Sequence, residues 1–251
     1  MIDTSLVRHW FMHTSHVVVG LATATKLGAG ERPRPAPLRE TRALRVGLVA
    51  GPETMWELAA ARVAEHLRAD ERLQVHQAGD CVGTGMDEPT DYDCIVLLGW
   101  PAASSREQVK RIELHCRGGG SLVALRAMHA EIPGWSNFTE EVFGGRQLPG
   151  RRCRLLEVER SQTAWHHPVV QGIESMIAEG DVYSGPRFSP DTTVVLTASG
   201  GQRVQPVAWT TRHEGGRVFC TTLGLDDDFR EPSFLRLISN AVHWTGLVHG
   251  G

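Results

Sequence analysis

Residues 118–135 read GGGSLVALRAMHAEIPGW: a glycine turn, a short apolar run, then an abrupt polar break. Gly118, Gly119 and Gly120 end one element, and residues 121–125 form a run of the length and apolarity of a buried strand. The break comes at Arg126, followed by Ala127, Met128 and His129. In α/β sheets, ligands bind just beyond the carboxyl ends of the parallel strands. Arg126 therefore stands where a side chain meets a ligand, if 121–125 belongs to a parallel sheet.

The flanking sequence supports that setting. LRVGLVAG (44–51) is a short apolar run ending in glycine, a buried strand. Across 53–70, Trp56, Ala60, Val63 and Leu67 recur at helical spacing. LQVHQAG (73–79) and DYDCIVLLGW (91–100) read as further strands, the second clearly buried. After Pro101, Ser104 and Glu107 form a capping box, and Val109, Ile112 and Cys116 line one face of the helix that follows. This β-α-β-β-α-β order predicts a mostly parallel central sheet with helices on both faces. The second half is richer in strands, at 154–159, 193–198, 205–212 and 217–222, with a hairpin turn in HEGGRV (213–218). A last helix is expected over 231–245.

Residues 28–40, GAGERPRPAPLRE, have the composition of a linker, so 1–41 read as an N-terminal extension and 42–248 as one domain. VVVGLATA (17–24), behind Arg8 and ending in Ala-Thr-Ala, has features of an export signal. The expectation is a cytoplasmic chain with an N-terminal extension; the alternative is an exported one, if the apolar segment is a signal peptide. No stretch approaches the ~20 apolar residues of a spanning helix. The formal net charge of −3 and the scattered basic residues argue against nucleic acid. The five cysteines are odd in number and form no CxxC pair, against a disulfide framework or a structural zinc site. Cys94 and Cys220 fit as small buried apolar side chains.

Four further stretches follow in order: HPVVQGI (167–173), DVY (181–183), PVAWTTRHEGGRVFCTTLG (206–224) and FLRLISNAVHWTG (234–246). Together with GGGSLVALRAMH, this set resembles the ThuA-like, or trehalose-utilization, family over roughly 44–246. The resemblance implies a flavodoxin-like fold similar to class I glutamine amidotransferases and a sugar or sugar derivative as ligand. The chain departs from the family at three points. Arg126 stands where members commonly carry histidine, GGRQLPG (144–150) lacks a histidine after its glycine pair, and Leu225 replaces the histidine of an "LGH" ending.

The candidate residues follow from that match and from side-chain chemistry. Amidotransferases carry a cysteine nucleophile on the strand-to-helix elbow; Arg126 is cationic at any ordinary pH and cannot serve as one. Its planar fork can hold a carboxylate, a phosphate or sugar hydroxyls, or it can pair with a nearby acid. His129 can shuttle a proton, or be solvated. Trp135 can stack on a sugar ring, or belong to the core. His167 belongs to the family's HP turn; as the neighbour of His166 it suits a shared metal poorly, because adjacent residues on extended chain point apart. Asp181 and Tyr183, two apart, face one side if extended, where the carboxylate can act as base and the phenol can bind hydroxyls. Asp226, in the acidic run 226–228, can rim the cleft. The expectation is proton transfer by His129 or Asp181 and ligand binding by Arg126, Trp135, His167, Tyr183 and Asp226. The alternative is a non-catalytic binding or interaction module on the same scaffold. No metal set is assigned, the cofactor is left open, and the partners expected are a sugar-like small molecule and at most further copies of the chain.

Overall fold

The computed structural model of the chain describes residues 42–77, 92–100, 106–127, 130–146, 151–182, 187–200 and 204–247. The N-terminal extension and Pro-rich linker, and Ser104 of the expected capping box, lie outside them. In chain order the elements are β1 (Leu44–Ala50), α1 (Thr54–Arg68), β2 (Leu73–Gln77), β3 (Cys94–Leu98), α2 (Arg106–Arg117), β4 (Ser121–Leu125), α3 (Phe138–Val142), β5 (Gly145–Arg146), β6 (Arg151–Arg160), β7 (Ser175–Val182), β8 (Arg187–Phe188), β9 (Thr193–Ser199), β10 (Val204–His213), β11 (Gly216–Thr221) and α4 (Pro232–Gly246).

Among the described residues, nine strands form one sheet in the order β2-β1-β3-β4-β11-β10-β9-β6-β7, and β5 pairs with β8 separately. From β2 to β11 every pairing is parallel, as crossover helices require. From β11 to β7 every pairing is antiparallel. The sheet is thus mixed: its first half matches the parallel expectation, and hairpins build the second. The β10–β11 hairpin turns on Glu214 and Gly215, with φ of 46° and 88°, the left-handed pair that a tight two-residue turn needs.

The central strands of the parallel half, β3 and β4, are buried on both faces, whereas β2 at the edge is partly exposed. Cys94, Val96 and Leu98 of β3 pack with residues of α1 and α4, while Ile95 and Leu97 pack on the opposite face with Val109, Ile112 and Cys116 of α2. This explains why β3 and β4 read as continuous apolar runs rather than alternating ones. Each large aliphatic side chain buried this way stabilises by about 1.5–3 kcal/mol before entropy is counted. Helix α4 starts with Pro232 at a first-turn position, and the Glu231 carboxylate accepts from the Ser233 N–H at 3.3 Å.

The antiparallel half curls back. β7 lies at the far edge of the sheet, yet Gly180 forms an isolated bridge with Leu223, two residues beyond β11. A Cβ at position 180 would meet the Leu156 and Leu223 side chains at 3.0 and 3.4 Å, so glycine permits this approach. The curl brings the end of β7 to the carboxyl edge of the parallel strands.

Candidate functional site

Three backbone hydrogen bonds join the carboxyl ends of the parallel strands. The Gly51 N–H donates to Leu98 O, the Gly99 N–H to Leu125 O and the Arg126 N–H to Thr221 O, at 2.8, 2.8 and 2.9 Å. The Trp56 indole of α1 lies against Gly51 and Gly99, and a Cβ on Gly99 would sit 2.6 Å from it. Arg126 follows β4 directly at this edge. Its φ is +53°, a left-handed conformation that costs an L-residue roughly 1–2 kcal/mol. Among the described residues only Arg126 and Glu214 adopt positive φ without being glycine, and Glu214 is explained by its hairpin. Arg126 therefore occupies a strained strand-end elbow, the geometry that elsewhere presents a catalytic side chain.

The Arg126 side chain is partly buried and donates from Nη1 to Thr222 O at 2.9 Å. Nearby, the buried Asp228 carboxylate holds the loop after β11 against β7. Its Oδ2 accepts from the N–H groups of Gly224 and Leu225 at 2.8 and 3.0 Å, and its Oδ1 accepts from Glu179 N–H at 3.0 Å. Burial raises the pKa of Asp228, against the opposing pull of these backbone donors and of the Arg126 charge. Sequence reading treats 226–228 as one acidic loop and misses that its last member points inward. The signal available was the apolar Phe229 immediately after it, which is also buried.

The expected residues divide between the two ends of the sheet. Asp226 is exposed on the turn after β11, at the Arg126 end. The backbone of Asp181 follows the Gly180–Leu223 bridge to the same end, and its Cα pairs with that of Arg152. The Asp181 side chain, His129 and Tyr183 lie outside the described residues. Trp135 is buried, its Nε1 donates to Glu141 Oε2 at 2.6 Å, and the Arg117 guanidinium lies 4.0 Å from its ring centroid. The His213 ring is 5.6 Å away. Arg117 precedes β4 and His213 precedes β11, so Trp135 lies at the amino ends of these strands, roughly 13 Å along β4 from Arg126. His167 is also distant. Its Nδ1 accepts from Val169 N–H at 3.3 Å, and its ring lies 5.0 Å from that of Trp244, which the Arg217 side chain contacts at the start of β11. Sequence proximity joined Trp135 to Arg126, but the intervening chain runs back along the sheet: Ala127, Ala130 and Ile132 are all buried in the core on the α2 face.

The described thiols offer no substitute nucleophile. Cys94, Cys116 and Cys220 are buried and free, and burial pushes the first two to about 12 and the third well above its usual value. Among the described residues no group of three or more His, Cys, Asp or Glu could hold a metal ion. No described helix is long and apolar enough to cross a membrane.

Residues 52–245 match the family model described as ThuA, trehalose utilisation. The chain belongs to the ThuA family. Comparison with curated proteins finds no match. Among solved structures, a ThuA-like protein of Parabacteroides merdae superposes with a TM-score of 0.62 at 18% identity, covering 82% of this chain and 91% of that one. A ThuA-like protein of Bacteroides uniformis gives 0.59 at 18% identity, with 84% and 95% covered. A glutamine amidotransferase of Thermotoga maritima gives 0.53 at 11% identity, with 82% and 99% covered. At these identities the likeness is one of fold. The ThuA chain therefore has the α/β, amidotransferase-like architecture of flavodoxin type, with an arginine at its strand-end elbow.

Proposed function

We propose that this ThuA-family chain binds a sugar or sugar derivative at the carboxyl edge of its parallel strands, with Arg126 as the anchoring side chain. One observation carries the reading: a partly buried arginine held at φ +53° at the end of a central strand, where strain is retained without a hairpin to explain it. The Thr222 carbonyl accepts from Nη1 and fixes the plane of the guanidinium, a fork whose shape matches a carboxylate or vicinal hydroxyls. Asp226 stands at the rim on the same side, and Tyr183 belongs to the same ligand set through the family match. His129 and Asp181 are the groups assigned to proton transfer if the ligand is transformed. The sugar class rests on the family name.

A second reading, binding without turnover, is favoured by the arginine at the elbow and by the buried, high-pKa thiols. A thermal-shift screen of neutral sugars, keto-sugars and sugar acids, followed by product analysis of each binder, tests both readings. Stabilisation by a sugar in the wild type and its absence in Arg126→Ala supports the site. A screen without a binder, or equal stabilisation of both proteins, contradicts it. Unchanged ligand after prolonged incubation selects the non-catalytic reading.

A further inference from the structure

The opposite end of β10 and β11 carries a second feature that the strand-end reading does not use. Arg212 and Arg217 are register partners across the hairpin, on the face that packs on α4. Directly opposed residues of an antiparallel pair have their Cβ atoms about 4.5–5.5 Å apart, and like charges there repel. His167 adds a third basic group: its ring and the Arg217 guanidinium lie 5.0 and 5.2 Å from the ring centroid of Trp244.

Among the described residues the cluster has donors and no ion-paired carboxylate. Arg217 donates from Nη1 to Trp244 O at 2.6 Å, while its Nε is buried and has no hydrogen-bond partner. Among the described residues no carboxylate pairs with Arg212, Arg217 or His167. The Val169 N–H donates to Nδ1 of His167, which leaves the proton of the neutral ring on Nε2, another donor. Burial, and after it the Arg212 charge, lowers the Arg217 pKa; burial, and after it the Arg217 charge, lowers that of His167. Arg212 is exposed, so the cluster is open to solvent.

We propose that Arg212, Arg217 and His167 form a phosphate-binding site, separate from the strand-end site proposed above, for inorganic phosphate or a phosphorylated small molecule. Two permanent cations match a phosphate dianion better than a single carboxylate, and the arginine forks supply paired N–H donors of suitable geometry. The bound anion would neutralise the repulsion that the register imposes.

The test is titration of the full chain with inorganic phosphate at constant ionic strength, chloride serving as the control, followed through the His167 ring resonances and the melting temperature. Saturable shifts are expected with phosphate and not with chloride. Arg212→Gln, at an exposed position, keeps the fold and should weaken phosphate binding at least about tenfold; Arg217→Gln should do the same. Arg126→Ala should leave it unchanged, whether or not the strand-end site binds a sugar. A parallel titration with glucose 6-phosphate separates the two sources. Tighter binding than phosphate, dependent on Arg212, identifies a phosphorylated small molecule, and equal binding identifies the phosphate itself. Absence of saturable binding, or binding unaltered in Arg212→Gln, overturns the proposal. So does loss of phosphate binding in Arg126→Ala with Arg212→Gln unchanged.

Discussion

Replacing Arg126 by alanine and, separately, by glycine isolates the strain at the elbow. Both variants lose the same guanidinium and its bond to Thr222 O; only alanine keeps a Cβ in the left-handed region. That region costs an L-residue roughly 1–2 kcal/mol. Glycine gives back about 0.5–1 kcal/mol through its greater freedom in the unfolded chain. Arg126→Gly should therefore be more stable than Arg126→Ala by about 0.5–1 kcal/mol. Loss of the charge-assisted bond typically costs about 1.5–3 kcal/mol; the partly exposed guanidinium brings this to about 1 kcal/mol. Arg126→Ala should then fall about 1 kcal/mol below the wild type, and Arg126→Gly should stay close to it. Urea melts of the three proteins with a common m-value read these differences directly. Alanine more stable than glycine by about 0.5–1 kcal/mol, glycine's entropic cost alone, would show that the elbow stores no strain, and the argument from strain to function would fail.

Three further outcomes follow from buried and paired groups. Asp228→Ala leaves three backbone N–H donors without their acceptor and should destabilise the fold by about 3 kcal/mol or more in denaturant melts. Asp70 has its pKa lowered, first by the Arg72 side chain and also by His243, whose Nε2 is 2.8 Å away. A lowered folded pKa means stability present above the unfolded pKa and lost as pH falls toward the folded value. Asp70→Asn should thus cost about 1 kcal/mol at pH 7, and the difference from wild type should shrink below about pH 4. Cys94, Cys116 and Cys220 should resist alkylation in the native protein and react once it is unfolded, as peptide mapping would show; labelling of the native protein at any of the three would contradict their burial.

The parallel half is legible because its central strands are buried on both faces, which makes residues 94–98 and 121–125 continuous apolar runs bounded by glycine or polar breaks. β7 carries no strand signal in its sequence. SMIAEGDV carries Glu179, Gly180 and Asp181 in sequence, and it is held by pairing with β6 and by the bridge to Leu223, contacts that no local pattern encodes. The apolar run before Arg126 marks it as a strand end, but nothing in RAMH announces its left-handed backbone. Proximity in sequence and motif associate Trp135 and His167 with Arg126, whereas packing puts both at the other end of the sheet. The opposition of Arg212 and Arg217 was within reach: once Glu214 and Gly215 are taken as a two-residue turn, counting outward pairs the two arginines.

The most direct measurement is calorimetric affinity for the best sugar ligand of the wild type, compared across Arg126→Ala and His167→Ala. Arg126 lies at the carboxyl end of the parallel strands and His167 at the far end. Arg126→Ala should weaken binding roughly ten- to hundredfold, the equivalent of a charge-assisted hydrogen bond of about 1.5–3 kcal/mol, and His167→Ala should leave it within about twofold. Equal affinity in the wild type and Arg126→Ala, or the larger loss in His167→Ala, would contradict a ligand site at the strand ends.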